Sequence, residues 1–154
     1  EGTNGVQALD LVGRKLAADG GRAIFSFFRE MDDFIGDNSD DAEMKFFVDG
    51  LKKARDEMED GTNWLMKNGL ANFDNAAAAS TDFLHLFGLT AFAYMWAKMA
   101  KTALAKAGDA EPFYKNKLIT ARYFFDRMLP DTAAHLAKMK AGCDTMMALE
   151  ADQF

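Results

Sequence analysis

The stretch that decides the fold runs from residue 75 to residue 107 and reads NAAAASTDFLHLFGLTAFAYMWAKMAKTALAKA. It contains no proline and is apolar around most of its circumference, which is the pattern of a helix surrounded by other helices. The alanines at its start permit close backbone approach. We expect core bulk from the larger side chains further along: Leu84, Phe87, Phe92, Met95, Trp96 and Met99.

Outward from this helix, apolar residues recur at steps of three and four, bounded by Gly, Asn, Asp and Pro. Val and Ile are scarce, so few residues of the chain favour β-strands. We therefore predict an all-α fold, an antiparallel helical bundle of about five to six helices. The other helices are expected at Val6 to Ala18, at Arg22 to Ile35, from Asp40 or Asp41, from Pro112, and from Pro130 to near Gly142.

Two residue types raise specific expectations within these helices. Gly50 and Gly61 lie inside the long third helix, where glycine is a weak helix former, so we interpret them as weak points. Most of the ten methionines are interpreted as adaptable core filler rather than as a soft-metal site. The ones that share stripes with Phe and Leu are Met44, Met58, Met95, Met99 and Met128.

Composition and charge exclude several classes of function. The chain has 154 residues, 49% of them hydrophobic, and a net charge of −6, so nucleic acid and anionic membranes are not expected partners. The longest charge-free run, Phe83 to Ala97, is shorter than the roughly 18–20 residues of a membrane span. A lone cysteine, Cys143, is expected to be small and buried, and it suits a reducing, cytoplasmic location.

The sequence offers one weak metal pattern. Asp82 and His85, together with Asp131 and His135, could form two half-sites, but the ligand count falls short of a Glu-x-x-His di-iron pattern. Core or capping roles are favoured for these residues. We predict no metal site.

The first residues carry a more specific pattern. Glu1-Gly2-Thr3-Asn4-Gly5-Val6-Gln7, followed by a helical stretch to Leu16, resembles the catalytic-glutamate segment of flavin-dependent acyl-CoA dehydrogenases. Later stretches resemble the extra C-terminal domain of the acetyl-CoA dehydrogenase-like branch, which includes 3-methylmercaptopropionyl-CoA dehydrogenases. These stretches are residues 68–80 and 83–90, and the stretch that begins with residues 120–125 and ends with residues 146–149. The resemblance covers nearly the whole chain.

The resemblance implies roles for the first five residues. Glu1 matches the catalytic base that removes the α-proton of an acyl-CoA thioester while the β-hydrogen leaves as hydride to FAD. Gly2 is implied beside the substrate thioester, and Thr3, Asn4 and Gly5 near the FAD. The implied partners are the acyl-CoA substrate, the electron-transfer flavoprotein, the remainder of the dehydrogenase core and further copies in a homo-oligomer.

Because the chain begins at Glu1 rather than Met, we expect a fragment of a longer protein. Residues 1–20 would end the catalytic core, and residues 21–154 would form the extra C-terminal helical-bundle domain. The isolated chain is expected to be structural and inactive, with an exposed apolar patch where the core docks. The alternative is a free-standing helical module for protein interaction or oligomerisation.

Overall fold

The computed structural model describes residues 2–106, 108 and 112–153. Within these residues there are six α-helices and no strand, so the all-α prediction is confirmed. None of the described helices has the length and hydropathy needed to span a membrane. The helices are α1 (Asn4–Asp10), α2 (Arg22–Asn38), α3 (Lys45–Trp64), α4 (Phe73–Ala105), α5 (Pro112–Arg127) and α6 (Asp131–Lys140).

Helix α4 lies at the centre of the bundle, as predicted. It runs antiparallel to α3: the Thr90 hydroxyl lies 3.4 Å from the Ala54 carbonyl oxygen, whereas Leu86 packs at Gly61, farther along α3. Helices α5 and α6 also pack against α4. Trp96 stacks on Phe124 of α5, and Asp82 bonds a histidine of α6. Neighbours on several sides therefore bury α4.

Aromatic rings attach α2 to the same central helix. Phe27 stacks on Phe87 at 5.8 Å between ring centroids, and Phe34 meets Tyr94 edge-on at 5.7 Å. Both contacts advance in the same direction along the two helices, so α2 runs parallel to α4. Edge-on and offset ring pairs of this kind stabilise by about 0.5–1.5 kcal/mol beyond their buried area.

Arg55 of α3 is a polar tie between α2 and α3. Its Nη2 donates to one Asp32 carboxylate oxygen at 2.8 Å, and its Nε lies 2.8 Å from the other oxygen as an ion pair. The guanidinium also bonds Glu59 and lies 5.1 Å from the centroid of the Phe28 ring. Burial by itself lowers the pKa of Arg55, but the hydrogen bonds to Asp32 and Glu59 outweigh burial and raise it. Arg55 therefore stays charged and holds α2 on α3.

The predicted boundaries of α2 and α3 were wrong by a few residues. Helix α2 continues past Ile35 to Asn38, whose side-chain amide is buried and donates to the Phe34 carbonyl oxygen at 2.6 Å. Helix α3 begins at Lys45, not at Asp40 or Asp41. The Asp41 carboxylate instead accepts the backbone N–H of Glu43 at 2.9 Å, so it caps a turn that precedes the helix.

The first predicted helix is divided. Helix α1 ends at Asp10, and a π-helical turn, Leu11–Lys15, follows it. Leu9 is 43% exposed, whereas Ala8 is fully buried. A π turn inserts an extra residue and rotates the face that points inward.

Gly50 and Gly61 are contact points rather than weak points, which corrects the prediction. A Cβ atom on Gly50 would lie 2.6 Å from Cδ1 of Phe125, and one on Gly61 would lie 3.1 Å from Leu86. The missing side chains let α5 and α4 approach α3 closely. At these two positions packing outweighs helix propensity.

The methionine prediction holds for only part of the set. Met44 and Met58 are fully buried, as expected of core filler. Met95, Met99 and Met128 are 46%, 40% and 44% exposed, and Phe92 is 61% exposed, so these four are not core residues. Because α4 is apolar on every side, periodicity could not show which of its faces points outward.

Substitution of Gly50 by alanine provides a test of the close contact. In a helix this change normally stabilises by about 0.5–1 kcal/mol. We expect Gly50→Ala to lower the free energy of unfolding by about 1–3 kcal/mol, because the new methyl group displaces the packed Phe125 ring. Urea unfolding measures the change.

The matched control is Gly88→Ala in α4, where nothing lies within 4 Å of the added Cβ. This variant should be as stable as the original chain or more stable. Equal effects of the two substitutions would contradict the role given to Gly50.

Candidate functional site: the N-terminal segment and the adjoining apolar cavity

Four of the five residues singled out by the N-terminal pattern are in the described structure, and Glu1 lies outside the described residues. Gly2 and Thr3 form a turn, and Asn4 and Gly5 open α1. All four are exposed, and a Cβ built on Gly2 or Gly5 would meet nothing within 4 Å. The segment therefore presents an open backbone that another surface could approach closely.

Within the described residues, this segment by itself does not enclose a cofactor. The Thr3 side chain makes no capping hydrogen bond, while the Thr3 carbonyl oxygen accepts the backbone N–H of Gln7 at 2.9 Å. Gly2 and Gly5 leave the backbone of this segment uncovered by side chains.

An ion pair holds the register of the helix that follows. Asp10 accepts bonds from Arg14 at 2.6 and 2.9 Å, and Lys15 lies 3.1 Å away. The hydrogen bonds from Arg14 and then Lys15 lower the pKa of Asp10 to about 2. The Asp10 carboxyl is therefore ionised at neutral pH.

Three consecutive residues with positive φ separate this segment from α2. Asp19, Gly20 and Gly21 have φ values of 51°, 66° and 79°. Glycine adopts this left-handed conformation at low cost, which explains the Gly-Gly pair. The chain therefore changes direction abruptly between the N-terminal segment and the rest of the bundle.

An apolar cavity of about 330 Å³ lies beside the N-terminal segment. Two π-helical turns, Leu11–Lys15 and Leu65–Gly69, contribute residues to its wall. Such turns are frequent at functional sites. The lining is entirely apolar or glycine: Val12, Gly13, Leu16, Ala17, Gly20, Gly21, Leu65, Met66, Gly69, Leu70, Phe73 and Ala76.

Large apolar side chains stand exposed around this cavity. Leu70 is 78% exposed, Phe73 66% and Met66 37%, and Val6 of α1 is 65% exposed. A contiguous apolar surface of this kind marks an interaction site. Sequence reasoning predicted an exposed apolar patch but did not name the residues that form it.

The weak metal pattern is partly assembled. Asp82 bonds Nδ1 of His135 at 2.7 Å, and the His85 ring stacks on the His135 ring at 5.1 Å. Asp131 is not part of this group. Across the described ranges no cluster of three or more His, Cys, Asp or Glu has a geometry that could hold a metal ion.

Cys143 is buried, as predicted. Its backbone N–H donates to the side-chain oxygen of Asn75 at 3.0 Å, and its sulfur lies 3.6 Å from the Asn72 amide nitrogen. These bonds tie the end of the bundle to the start of α4. The thiol has a packing role there.

Comparison with known proteins identifies the bundle. Residues 27–150 match the family described as "Acetyl-CoA dehydrogenase C-terminal like". The chain belongs to this family. The match begins in α2 and ends after α6, so it contains most of α2 and all of α3 to α6, and it leaves the N-terminal segment outside.

A relative extends the similarity beyond this family domain. The chain is 32% identical over 151 residues to the 3-methylmercaptopropionyl-CoA dehydrogenase of Ruegeria pomeroyi. The alignment covers 96% of this chain and 26% of the relative, so the chain spans about a quarter of the relative's length. Because the alignment is longer than the family match, it includes most of the residues before Phe27.

In this chain, the ion pair at Asp10 predicts how the stability of the fold depends on pH. The folded-state pKa of about 2 lies below the ordinary value of 3.8, so the stabilisation is present above pH 3.8 and is lost as the pH falls toward 2. We expect the Asp10 carboxyl carbon to titrate with a midpoint near 2 in NMR.

Arg14→Gln should move that midpoint toward 3.8, because Arg14 is the largest cause of the shift. Arg22→Gln removes a different ion pair, with Asp19, and should leave the midpoint unchanged. An Asp10 midpoint that stays near 2 in Arg14→Gln would refute the assignment.

Proposed function

We propose that the chain is the C-terminal part of an FAD-dependent acyl-CoA dehydrogenase, in which Glu1 is the catalytic base. The observation that carries this proposal is the 32% identity to a curated acyl-CoA dehydrogenase over 96% of the chain, including most of the segment before the family domain. The Glu-Gly-Thr-Asn-Gly pattern occurs in that segment. The helical bundle alone would not support a catalytic role.

The proposed reaction is the α,β-dehydrogenation of an acyl-CoA thioester. The Glu1 carboxylate accepts the α-proton, and the electrons of that C–H bond form the new C=C bond. FAD, when bound, would supply the oxidant that takes up the β-hydrogen as hydride. The products are a trans-2-enoyl-CoA, reduced flavin and protonated Glu1. Electrons then pass to the electron-transfer flavoprotein.

The residues after Glu1 would set the distances in this site. Gly2 would lie against the acyl thioester, and Thr3, Asn4 and Gly5 would lie against FAD. Exposed backbone without side-chain bulk at Gly2 and Gly5 supports this role. The ion pair at Asp10 would keep α1 in register, so that the segment enters the site at a fixed angle.

Residues 21–154 would form the extra C-terminal domain, and residues 1–20 would complete the core. The left-handed residues at 19–21 support this boundary, because the chain turns there before the family domain begins. The helical domain would have no catalytic side chain of its own. By itself the chain would be inactive, since most of a flavin site would come from upstream residues. We place the protein in the cytoplasm, in keeping with its single buried thiol.

The apolar surface around Leu70 and Phe73 would be the face on which the dehydrogenase core docks. It adjoins the segment that would belong to the core, and Gly13 of that segment already packs near Phe73, at 3.9 Å from a Cβ built on the glycine. A core covering this surface would extend an existing contact. This continuity favours the core over an unrelated protein.

The test of the catalytic role uses the gene product that contains this chain and its upstream sequence. Glu1→Gln should bind FAD as the unmodified protein does, but acyl-CoA should reduce the flavin at least about 100-fold more slowly, because a general base contributes about that factor or more. Anaerobic bleaching of flavin absorbance measures the rate. Glu30→Gln, on the exposed face of α2, is the matched control.

Full activity of the Glu1→Gln protein would refute the assignment of the base. Failure of the unmodified long protein to bind FAD would refute the dehydrogenase proposal itself. In that case a free-standing helical module for protein interaction or oligomerisation is the better interpretation.

A surface substitution tests the docking face. Leu70→Glu should lower the thermal unfolding midpoint of the long protein but not that of the isolated chain, because Leu70 is 78% exposed in the chain alone. Met146→Glu, at 70% exposure, is the control and should change neither midpoint. Equal effects of Leu70→Glu on both proteins would contradict docking at this face.

A further inference from the structure

A second apolar surface lies at the opposite end of α4 and is separate from the cavity described above. Met99 is 23 residues beyond Ala76, which corresponds to about 35 Å along the helix at 1.5 Å per residue. Here α4 and α5 form an open groove of about 340 Å³. The two surfaces therefore cannot be parts of one site.

Flexible apolar side chains form the floor of this groove. Met95 and Met99 of α4 are 46% and 40% exposed, and Phe113 of α5 is 54% exposed. Exposed methionines are frequent on surfaces that bind amphipathic helices, because the thioether adapts its shape to the partner. The floor lies between two helices, and the exposed row from Phe92 to Thr102 extends for about three helical turns.

Lysines stand on both helices that form the groove. Lys98 of α4 lies 4.9 Å from the centroid of the Tyr94 ring, and Lys117 of α5 lies 5.7 Å from the centroid of Trp96. In both cases the ammonium nitrogen itself lies over the ring face, so the two charges are held at the aromatic wall of the groove by cation–π contacts. Neither ammonium takes part in an ion pair with any carboxylate of the described residues.

Residues 83–130, which include the groove, have a positive net charge, whereas the whole chain has a negative one. Residues 83–130 contain seven Lys and Arg against three Asp and Glu, although the whole chain has a net charge of −6. Residues 30–60, in contrast, contain four basic and twelve acidic residues. The charged residues that line the groove, Lys98 and Lys117, are thus cations on an acidic protein, and they favour partners of negative charge.

From these observations we propose that the groove between α4 and α5 binds an acidic amphipathic helix of another protein. Its apolar stripe, with residues at spacings of three and four, lies on Met95, Met99 and Phe113. Its Asp and Glu side chains flank that stripe and face Lys98 and Lys117. Because the two lysines stand on different helices, they match a partner helix that carries negative charge on both sides of its apolar stripe. A fatty acid, with one carboxylate at one end, would use only one of them.

The test uses a synthetic helical peptide of about 14 residues, with Leu at positions i, i+3, i+7 and i+10 and Glu at the flanking positions. We expect it to bind the chain, as measured by fluorescence anisotropy. A peptide of the same composition with dispersed leucines, and one with Lys in place of Glu, should bind at least about tenfold more weakly. Equal binding of all three peptides would overturn the proposal.

Two pairs of variants locate the binding site. Met99→Glu should weaken binding of the acidic peptide at least about tenfold, whereas Ile119→Glu, at an exposed position outside the groove, should not. The double change Lys98→Glu and Lys117→Glu should also weaken it, and Lys52→Glu with Lys67→Glu should not. All four remove surface side chains, and circular dichroism verifies folding.

Four outcomes would overturn the proposal. The acidic peptide could fail to bind, or Met99→Glu could leave its affinity unchanged. Decanoate could bind the groove while the acidic peptide does not, which would make the site one for a lipid anion. Finally, sedimentation could reveal dimers of the chain that Met99→Glu dissociates, which would make the partner a second copy.

Discussion

Close approach of the neighbouring helices to α4 is the constraint on which the rest of the structure depends. The inward positions of α4 are largely alanine, and Ala79, Ala93 and Ala97 are almost completely buried. Facing residues complete the fit: Gly61 accepts Leu86, and Gly50 of α3 accepts the Phe125 ring of α5. Small residues at these contacts bring helix backbones together, and larger ones such as Phe83 and Met58 fill the space between them.

This arrangement divides the surface of the bundle. One end of α4 meets the N-terminal segment, two π-helical turns and an apolar cavity. The other end meets α5 in a groove with lysines on its rim. Because α4 is rigid and about 50 Å long at 1.5 Å per residue, the two surfaces are held far apart and can serve two different partners. The cavity adjoins the segment in which the proposed base occurs, whereas the groove is remote from it.

The family domain and the segment that resembles the catalytic part of acyl-CoA dehydrogenases lie in different parts of the chain. The family match covers the helical domain, whose residues are explained by packing: Arg55 ties α2 to α3, and Cys143 bonds to Asn75. The catalytic pattern lies before that domain, in a segment whose described residues make few contacts. The packing residues and the residues proposed for catalysis thus lie in different parts of the same chain. The chemistry remains a proposal, since Glu1 lies outside the described residues.

The sequence by itself determined the fold class, the central position of α4 and the family. Those properties depend on composition, on helical periodicity and on local motifs, all of which are local in the chain. It also predicted the burial of Met44, Met58 and Cys143 correctly. Only the tertiary structure decided that Met95 and Met99 face outward, that Gly50 and Gly61 are contact points and that Asp41 caps a turn before α3. Each of these depends on a neighbour: a helix that is apolar on every side has no preferred face until its partners are in place.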